Sequence, residues 1–248
     1  MSGQLPDVIP PPEHDGERVA IITGASQGIG AGLARAYRER GYAVIAAARS
    51  IGPSEDPGIV TVEGDIADPD TAQRVVEAAV ERFGRIDTLI NNAGIYIGKP
   101  FTEYTLEDFN ALIAVNVAGF FHMTTRAVKR MLDQGRGHVV NVSTSLVEQP
   151  DSSRPAALQT LTKGGLVAVT RSLAIEYASR GLRVNAVSLG VIKTPLHDES
   201  SYAGMGALHP IGRVGEIEDV VGGVLYLESA PFVTGEILHI DGGQSAGH

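Results

Sequence analysis

The sequence predicts a single-domain α/β fold: a doubly wound parallel sheet with helices on both faces. Three observations carry that expectation. Short β-branched apolar runs alternate with longer helical segments from end to end, the rhythm of strands joined by crossover helices. The first run, Val19 to Thr23, ends in a glycine-rich turn before a helical segment from about Ile29 to Arg40. Finally, 248 residues without a repeat or a low-complexity linker are enough for one large domain with a sizeable core.

The elements follow in order. Tyr42 to Ala48 is apolar throughout and reads as a buried parallel strand. Ile51 to Gly58 combines turn formers with an acidic pair and is a loop; Ile59 to Glu63 is the third strand. Asp68-Pro69-Asp70 caps a helix running to about Phe83, with Val75, Val76, Ala79, Val80 and Phe83 on one face and Gly84 as its stop. Ile86 to Asn91 is the fourth strand, ending in Asn91-Asn92-Ala93-Gly94. Thr105 opens a long helical region to about Gln134, with Gly119 as a candidate break. Gly137 to Ser143 is the fifth strand, and the polar loop Glu148 to Pro155 leads to a helix from about Ala156 to Arg180. Leu182 to Ser188 is the sixth strand. An irregular segment, Leu189 to Arg213, precedes a helix at about Ile217 to Glu228 and a last strand at Gly235 to Ile240.

Residues 1–17 are polar and proline-rich, with no basic n-region and no apolar h-region. They are expected to be a mobile or loosely docked tail and not a signal peptide, which leaves residues 18–248 as the domain. A net charge of -9 argues against a general binder of nucleic acid or anionic membranes. No apolar run approaches the ~18 residues needed to span a bilayer. Cysteine is absent, which excludes disulfides, thiolate zinc sites and thiol catalysis and fits a cytoplasmic protein. The seven histidines are scattered without ligand spacing, so no metal is expected.

The turn itself reads Thr23-Gly24-Ala25-Ser26-Gln27-Gly28-Ile29-Gly30. Strand, tight turn and helix place an anion at a helix N-terminus, where free N–H groups and the helix dipole attract it. Gly24 would allow the turn, Gly28 a close approach to a pyrophosphate, and Gly30 close packing of helix on strand.

Beyond this turn the chain carries Asp65, Asn91-Asn92-Ala93-Gly94, Asn116, Val139-Val140-Asn141-Val142-Ser143, Lys163, Arg183-Val184-Asn185-Ala186-Val187 and Asp241-Gly242-Gly243. In this order and at these strand ends, they resemble the short-chain dehydrogenase/reductases over nearly the whole chain, from about Arg18 onward. The resemblance implies a Rossmann-like domain and an NAD(P)-dependent oxidoreductase acting on a small carbonyl or alcohol. By position, Gly24, Ser26, Gln27, Gly28, Ile29 and Gly30 would surround the pyrophosphate and ribose. Asp65 and Ile66 would hold the adenine. Asn91, Asn92, Ala93 and Gly94 would line the nicotinamide-side ribose, and Lys163 would bind its hydroxyls. Gly190, Val191, Ile192 and Thr194 would meet the carboxamide. Where an acidic residue would select NAD(H), the second strand ends in Ala48, followed by Arg49 and Ser50. A guanidinium pairs well with a phosphate, so NADP(H) is favoured over NAD(H), although Gln27 stands where many NADP-using relatives carry a basic residue.

The chain departs from the family at its catalytic unit of Asn, Ser, Tyr and Lys. Asn116 and Lys163 are present, but Gln159 stands four residues before Lys163, where the family has tyrosine. A glutamine amide can orient a carbonyl but has no proton to give. The serine position falls on Thr144, between Ser143 and Ser145. Leu189 replaces the usual proline before Gly190. Three explanations compete. Another acid serves, from Tyr96, Tyr202, His209 or Lys163 through a water; or the acceptor is an imine or activated alkene that needs little acid help; or the chain binds a dinucleotide without turnover, as a sensor or partner subunit. The loop residues Asp151, Ser152, Ser153 and Arg154 border the expected substrate cleft, where Arg154 reads either as an anchor for an acidic substrate or as a solvated charge. Leu189 to Arg213 would be a mobile lid seeded by Thr194-Pro195. The resemblance further implies a homotetramer, with a dimer second. The substrate itself is not written in the sequence.

Overall fold

The computed structural model describes residues 16–195 and 202–247. Apart from Gly16 and Glu17, the expected tail lies outside the described residues, as does the 196–201 part of the expected lid. Seven parallel strands form one sheet in the order β3-β2-β1-β4-β5-β6-β7: β1 Arg18–Thr23, β2 Tyr42–Ala48, β3 Ile59–Glu63, β4 Thr88–Asn91, β5 Gly137–Thr144, β6 Leu182–Leu189 and β7 Ile237–Ile240. The helices are α1 Gly28–Glu39, α2 Pro69–Phe83, α3 Leu106–Leu112, α4 Phe120–Gln134, α5 Ala157–Tyr177, α6 Tyr202–Gly206 and α7 Ile217–Ser229.

Side chains that alternate along β1 show how the layers form. Ala20 and Ile22 face Leu33 and Tyr37 of α1 and Val220, Val224 and Leu227 of α7. Val19 and Ile21 face the opposite layer, with Ala72, Val75 and Ala79 of α2 and Met123, Ala127 and Met131 of α4. A strand covered on both faces must be apolar at every position, and β2 is buried throughout. The α2 cap is as expected: Asp68 accepts from Asp70 N, and Gly84 closes the helix in the left-handed region.

The long helical region is more broken than its periodicity implies. Residues Ile113–Gly119 form a π-helical stretch between α3 and α4, with Asn116 inside it. One 18-residue window of the continuous helical span Leu106–Gln134 reaches a mean hydropathy of 1.3, so by length and composition alone the span could cross a bilayer; polar and charged residues interrupt it, and no unbroken apolar run spans it. Its apolar side has another use here, because Met123, Ala127, Val128 and Met131 pack into the core.

At the N-terminal ends of the strands the largely buried carboxylate of Glu228 gathers four donors. Tyr37 and Tyr42 donate from their hydroxyls at 3.0 and 2.9 Å, Thr88 at 3.0 Å, and His138 Nδ1 at 2.8 Å. Burial alone would raise this carboxyl, but the His138 contact, the Tyr42 bond and the charge of Arg183 outweigh it and hold it at about 2. This network ties α1, α7 and the starts of β2, β4 and β5 together, at the end of the sheet away from the cleft.

Candidate active site

A cleft of about 920 Å³ crosses the C-terminal ends of the strands, from β3 and β2 past β1 and β4 to β5 and β6. The strand order reverses between β1 and β4, the point where open α/β sheets offer a crevice. Two strand ends are sewn together there. Thr23 Oγ1 accepts from Asn92 N and Ala93 N at 3.1 and 3.0 Å, and Asn92 Nδ2 donates to Thr23 O at 2.9 Å. The turn after β1 has Gly24 at φ 68°, and a Cβ on Gly30 would collide with Gly24 O and Asn92. Only glycine allows α1 to come this close. Gln27 caps α1 without a side-chain hydrogen bond, so the first N–H groups of the helix face the cleft unsatisfied by a cap, as an anion requires.

Gly24, Ser26, Gln27, Gly28 and Ile29 line the cleft, followed by Arg49 and Ser50, then Asp65 and Ile66, then Asn92, Ala93 and Gly94. Gly190, Val191, Ile192 and Thr194 close the far wall. Asp65 Oδ1 accepts from Ala67 N at 2.9 Å. The Arg49 guanidinium is exposed and has no hydrogen-bond or ion-pair partner among the described residues. Gly30 does not line the cleft; it packs behind the turn. Asn91 is likewise corrected: its amide is buried and donates to Thr124 Oγ1 and Asn141 Oδ1, both at 2.9 Å, so it serves the core.

The inner end of the cleft holds Thr144, Ser145, Gln159 and Lys163. Gln159 and Lys163 sit one turn apart on α5, which turns both toward the cleft. Gln159 is 4% exposed, and its Oε1 has no hydrogen-bond partner. Lys163 is 7% exposed and donates from Nζ to Val142 O at 2.8 Å. Burial lowers its pKa to about 8. Thr144 Oγ1 accepts from Leu146 N at 3.4 Å, which leaves its hydroxyl proton to point elsewhere. Ser145 donates to Gln244 Oε1 at 2.9 Å, and Ser143 donates to Lys163 O at 3.2 Å.

Asn116, expected in the catalytic unit, does not itself line the cleft but lies directly behind it. It is buried, its Oδ1 accepts from Ile95 N at 2.9 Å, and its Nδ2 donates to Ile95 O and Thr162 Oγ1. It thereby fixes the segment after β4 against α5. A Cβ on Gly94 would lie 3.0 Å from Lys163 Nζ and 3.2 Å from Asn116 Oδ1, so both polar groups sit directly beneath that backbone.

Two candidate acids drop out. His209 is buried, with Nδ1 on Asp241 O at 2.7 Å and Nε2 accepting from Val191 N at 3.3 Å, so both ring nitrogens are committed to backbone. Tyr202 donates to Thr194 O at 2.9 Å and accepts from Thr194 N at 3.2 Å. Neither lines the cleft, whereas Tyr96 does. Sequence reasoning passed over Gln244, which is buried, lines the cleft and receives Ser145. Its signal was the Asp241-Gly242-Gly243 run just before it, where Asp241 accepts from Gly243 N and Ser245 N and bends the chain end inward.

This cradle fits a dinucleotide: a helix N-terminus behind a close glycine turn, an unpartnered guanidinium at one end, and a lysine at the other. Comparisons with known proteins agree. A family model described as Enoyl-(Acyl carrier protein) reductase matches residues 24–245. The 3-oxoacyl-[acyl-carrier-protein] reductase FabG of Thermotoga maritima is 35% identical over 246 residues, covering 91% of this chain and 97% of its own. A cis-4-hydroxycyclohexanecarboxylate dehydrogenase of Sinomonas cyclohexanicum is 37% identical over 246 residues, covering 93% and 97%. Among solved structures, ElxO with NADP bound has a TM-score of 0.87 at 30% identity, covering 93% of this chain and 100% of its own. A 3-ketoacyl-(acyl-carrier-protein) reductase from Brucella melitensis complexed with NADH has a TM-score of 0.83 at 30% identity, covering 92% and 98%. The chain belongs to the short-chain dehydrogenase/reductase family of NAD(P)-dependent oxidoreductases.

Proposed function

We propose that the protein is an NADP(H)-dependent oxidoreductase that interconverts a small carbonyl compound and its alcohol with a glutamine in place of the family's tyrosine. The observation that carries this reading is the pair on α5: Gln159 with an unpartnered amide oxygen, and buried Lys163 one turn on, both facing one cleft. The turn from Gly24 to Ile29 would hold the pyrophosphate, and Asp65 and Ile66 the adenine. Lys163 would hold the nicotinamide ribose. Arg49 and Ser50 would receive a 2′-phosphate, since a free guanidinium pairs with phosphate in charge-assisted bonds and no acidic residue ends β2 to repel it. When bound, the reduced nicotinamide supplies a hydride to the acceptor carbon.

The remaining chemistry falls to side chains. The Gln159 N–H and the Thr144 hydroxyl orient the substrate oxygen. Neither can release a proton at neutral pH. Lys163 can, because at about 8 its pKa keeps it mostly charged at neutrality while easing proton release. The proton passes from Nζ through a water to the oxygen that gains the electron pair, and Lys163 recovers it from solvent. An imine or activated alkene is the second reading, favoured by the absence of a phenol at position 159, since hydride addition to such acceptors builds up less charge on oxygen. The same account carries a cytoplasmic homotetramer, with a dimer second; exposed Phe121, Leu161 and Ile175 on the outer faces of α4 and α5 support it.

The experiment is a fluorescence titration with NADPH and separately with NADH, on the protein and on Arg49→Ser. Tighter NADPH binding that falls toward the NADH value in the variant is expected. Binding of neither dinucleotide would remove the oxidoreductase reading.

A further inference from the structure

Among the described residues, four charged side chains line the cleft: Arg49, Asp65, Arg154 and Lys163. The sheet order separates them. Arg49 and Asp65 follow β2 and β3 at one end, while Lys163 and Arg154 lie beyond β5 at the other. No acidic side chain lines that second end among the described residues. In a chain of net charge -9, this is a local reversal of sign, and low-dielectric walls strengthen such a field.

Lys163 is bonded to Val142 O. Arg154 is different. It sits on the loop before α5, half-buried, and its guanidinium has no hydrogen-bond or ion-pair partner among the described residues. Its backbone is fixed, however, by a hydrogen bond from Arg154 N to Asp151 O at 3.1 Å. Asp151 in turn is occupied by Ser153, accepting from its N–H at 2.8 Å and its hydroxyl at 2.7 Å. A second unpaired group lines the same end. Gln159 Oε1 is buried and lacks a donor, and the hydroxyl of an alcohol would supply one.

From this pair we infer that the substrate is a small organic acid, an oxo acid in one direction and a hydroxy acid in the other, with its carboxylate on Arg154 and its oxygen at Gln159. Resting on the proposed oxidoreductase reading, this adds the substrate class. The planar fork of a guanidinium matches a carboxylate with two parallel bonds. Thr144, Ser145, Leu146 and Tyr96 line the same cleft as the two anchors.

The test uses the protein–NADPH complex and oxo acids of increasing chain length, each paired with its methyl ester. Binding is read by calorimetry and turnover by NADPH absorbance, for the native protein, Arg154→Gln and Arg154→Lys. The expected result is a preference for acid over ester of about tenfold or more in both readouts, the size of a charge-assisted pair. Arg154→Gln should abolish the preference and Arg154→Lys should restore part of it, while NADPH affinity stays the same in all three. Equal binding of acid and ester to the native complex would overturn the inference, as would a preference that survives in Arg154→Gln. Failure of the oxidoreductase reading looks different: acids would bind Arg154-dependently without turnover, or NADPH would not bind at all.

Discussion

Lys163→Met should make the ligand-free protein more stable while weakening its hold on NADPH. Burial holds the Lys163 ammonium down to about 8 against an ordinary 10.5. Each pH unit of displacement corresponds to ~1.4 kcal/mol, so keeping this charge buried at neutral pH costs the folded chain about 3 kcal/mol. Methionine has similar length and no charge. Its introduction leaves Val142 O without the Lys163 donor, a loss of about 1 kcal/mol. The net gain is about 2 kcal/mol at pH 7, or roughly 4–8 °C in melting temperature for a chain of this size. The sign fixes the pH dependence. Between about 8 and 10.5 the unfolded lysine keeps its proton while the folded one releases it, so the native protein gains stability as pH rises and the difference from Lys163→Met closes. Thermal melts of both proteins at pH 7 and pH 10, without dinucleotide, measure this. Equal melting temperatures at pH 7, or a gap that does not narrow by pH 10, would refute the buried-ammonium reasoning. NADPH titration of the same variant should show affinity reduced several-fold, because Lys163 lines the cleft.

Gln159→Tyr installs a phenol one turn from Lys163 and should raise ketone reduction by about 10²–10⁴-fold, the usual contribution of a positioned general acid; steady-state kinetics at saturating NADPH would check it. Gln159→Ala should leave NADPH affinity nearly unchanged in a fluorescence titration. Glu228→Ala strands the hydroxyls of Tyr37, Tyr42 and Thr88 and the His138 N–H. At about 1–3 kcal/mol for each buried group, the loss rivals the whole stability of a typical domain, so denaturant titration should find little folded protein. Because the Glu228 carboxyl is held at about 2 against an ordinary 4.5, its contribution is present above 4.5 and is lost as pH falls toward 2. Acid unfolding followed by circular dichroism should therefore be less steep over that window in Glu228→Gln.

Much of the fold was legible because its signals are local. The unbroken apolar run of β2 and the Asp68 and Gly84 ends of α2 each write a boundary into a few residues. The π-helical stretch Ile113–Gly119 escaped, since a change in hydrogen-bond step hardly disturbs a helical pattern over seven residues. The Glu228 network escaped for another reason: its hydrogen-bonded members come from three strands and two helices, and nothing along the chain joins them. The glycine turn, Arg49 and Lys163 line the cleft where the sequence pattern puts them, whereas the sequence could not distinguish polar groups facing the cleft from those serving the backbone. Asn91 and Asn92 are neighbours, yet Asn91 turns to the core while Asn92 ties β1 to β4. Tyr202 and His209 carry the right chemistry for an acid, but their polar atoms are taken by main-chain groups of Thr194, Val191 and Asp241.

The central claim is that Lys163 supplies the proton at a site whose tyrosine is a glutamine. A single-turnover reduction of a ketone by the preformed NADPH complex, followed across pH, tests it most directly. The account predicts a rate that is high at neutral pH and falls as pH rises through the pKa of Lys163, and that is lost in Lys163→Met even with NADPH saturating. A rate that stays level to pH 10, or persists in Lys163→Met once NADPH is bound, would contradict it.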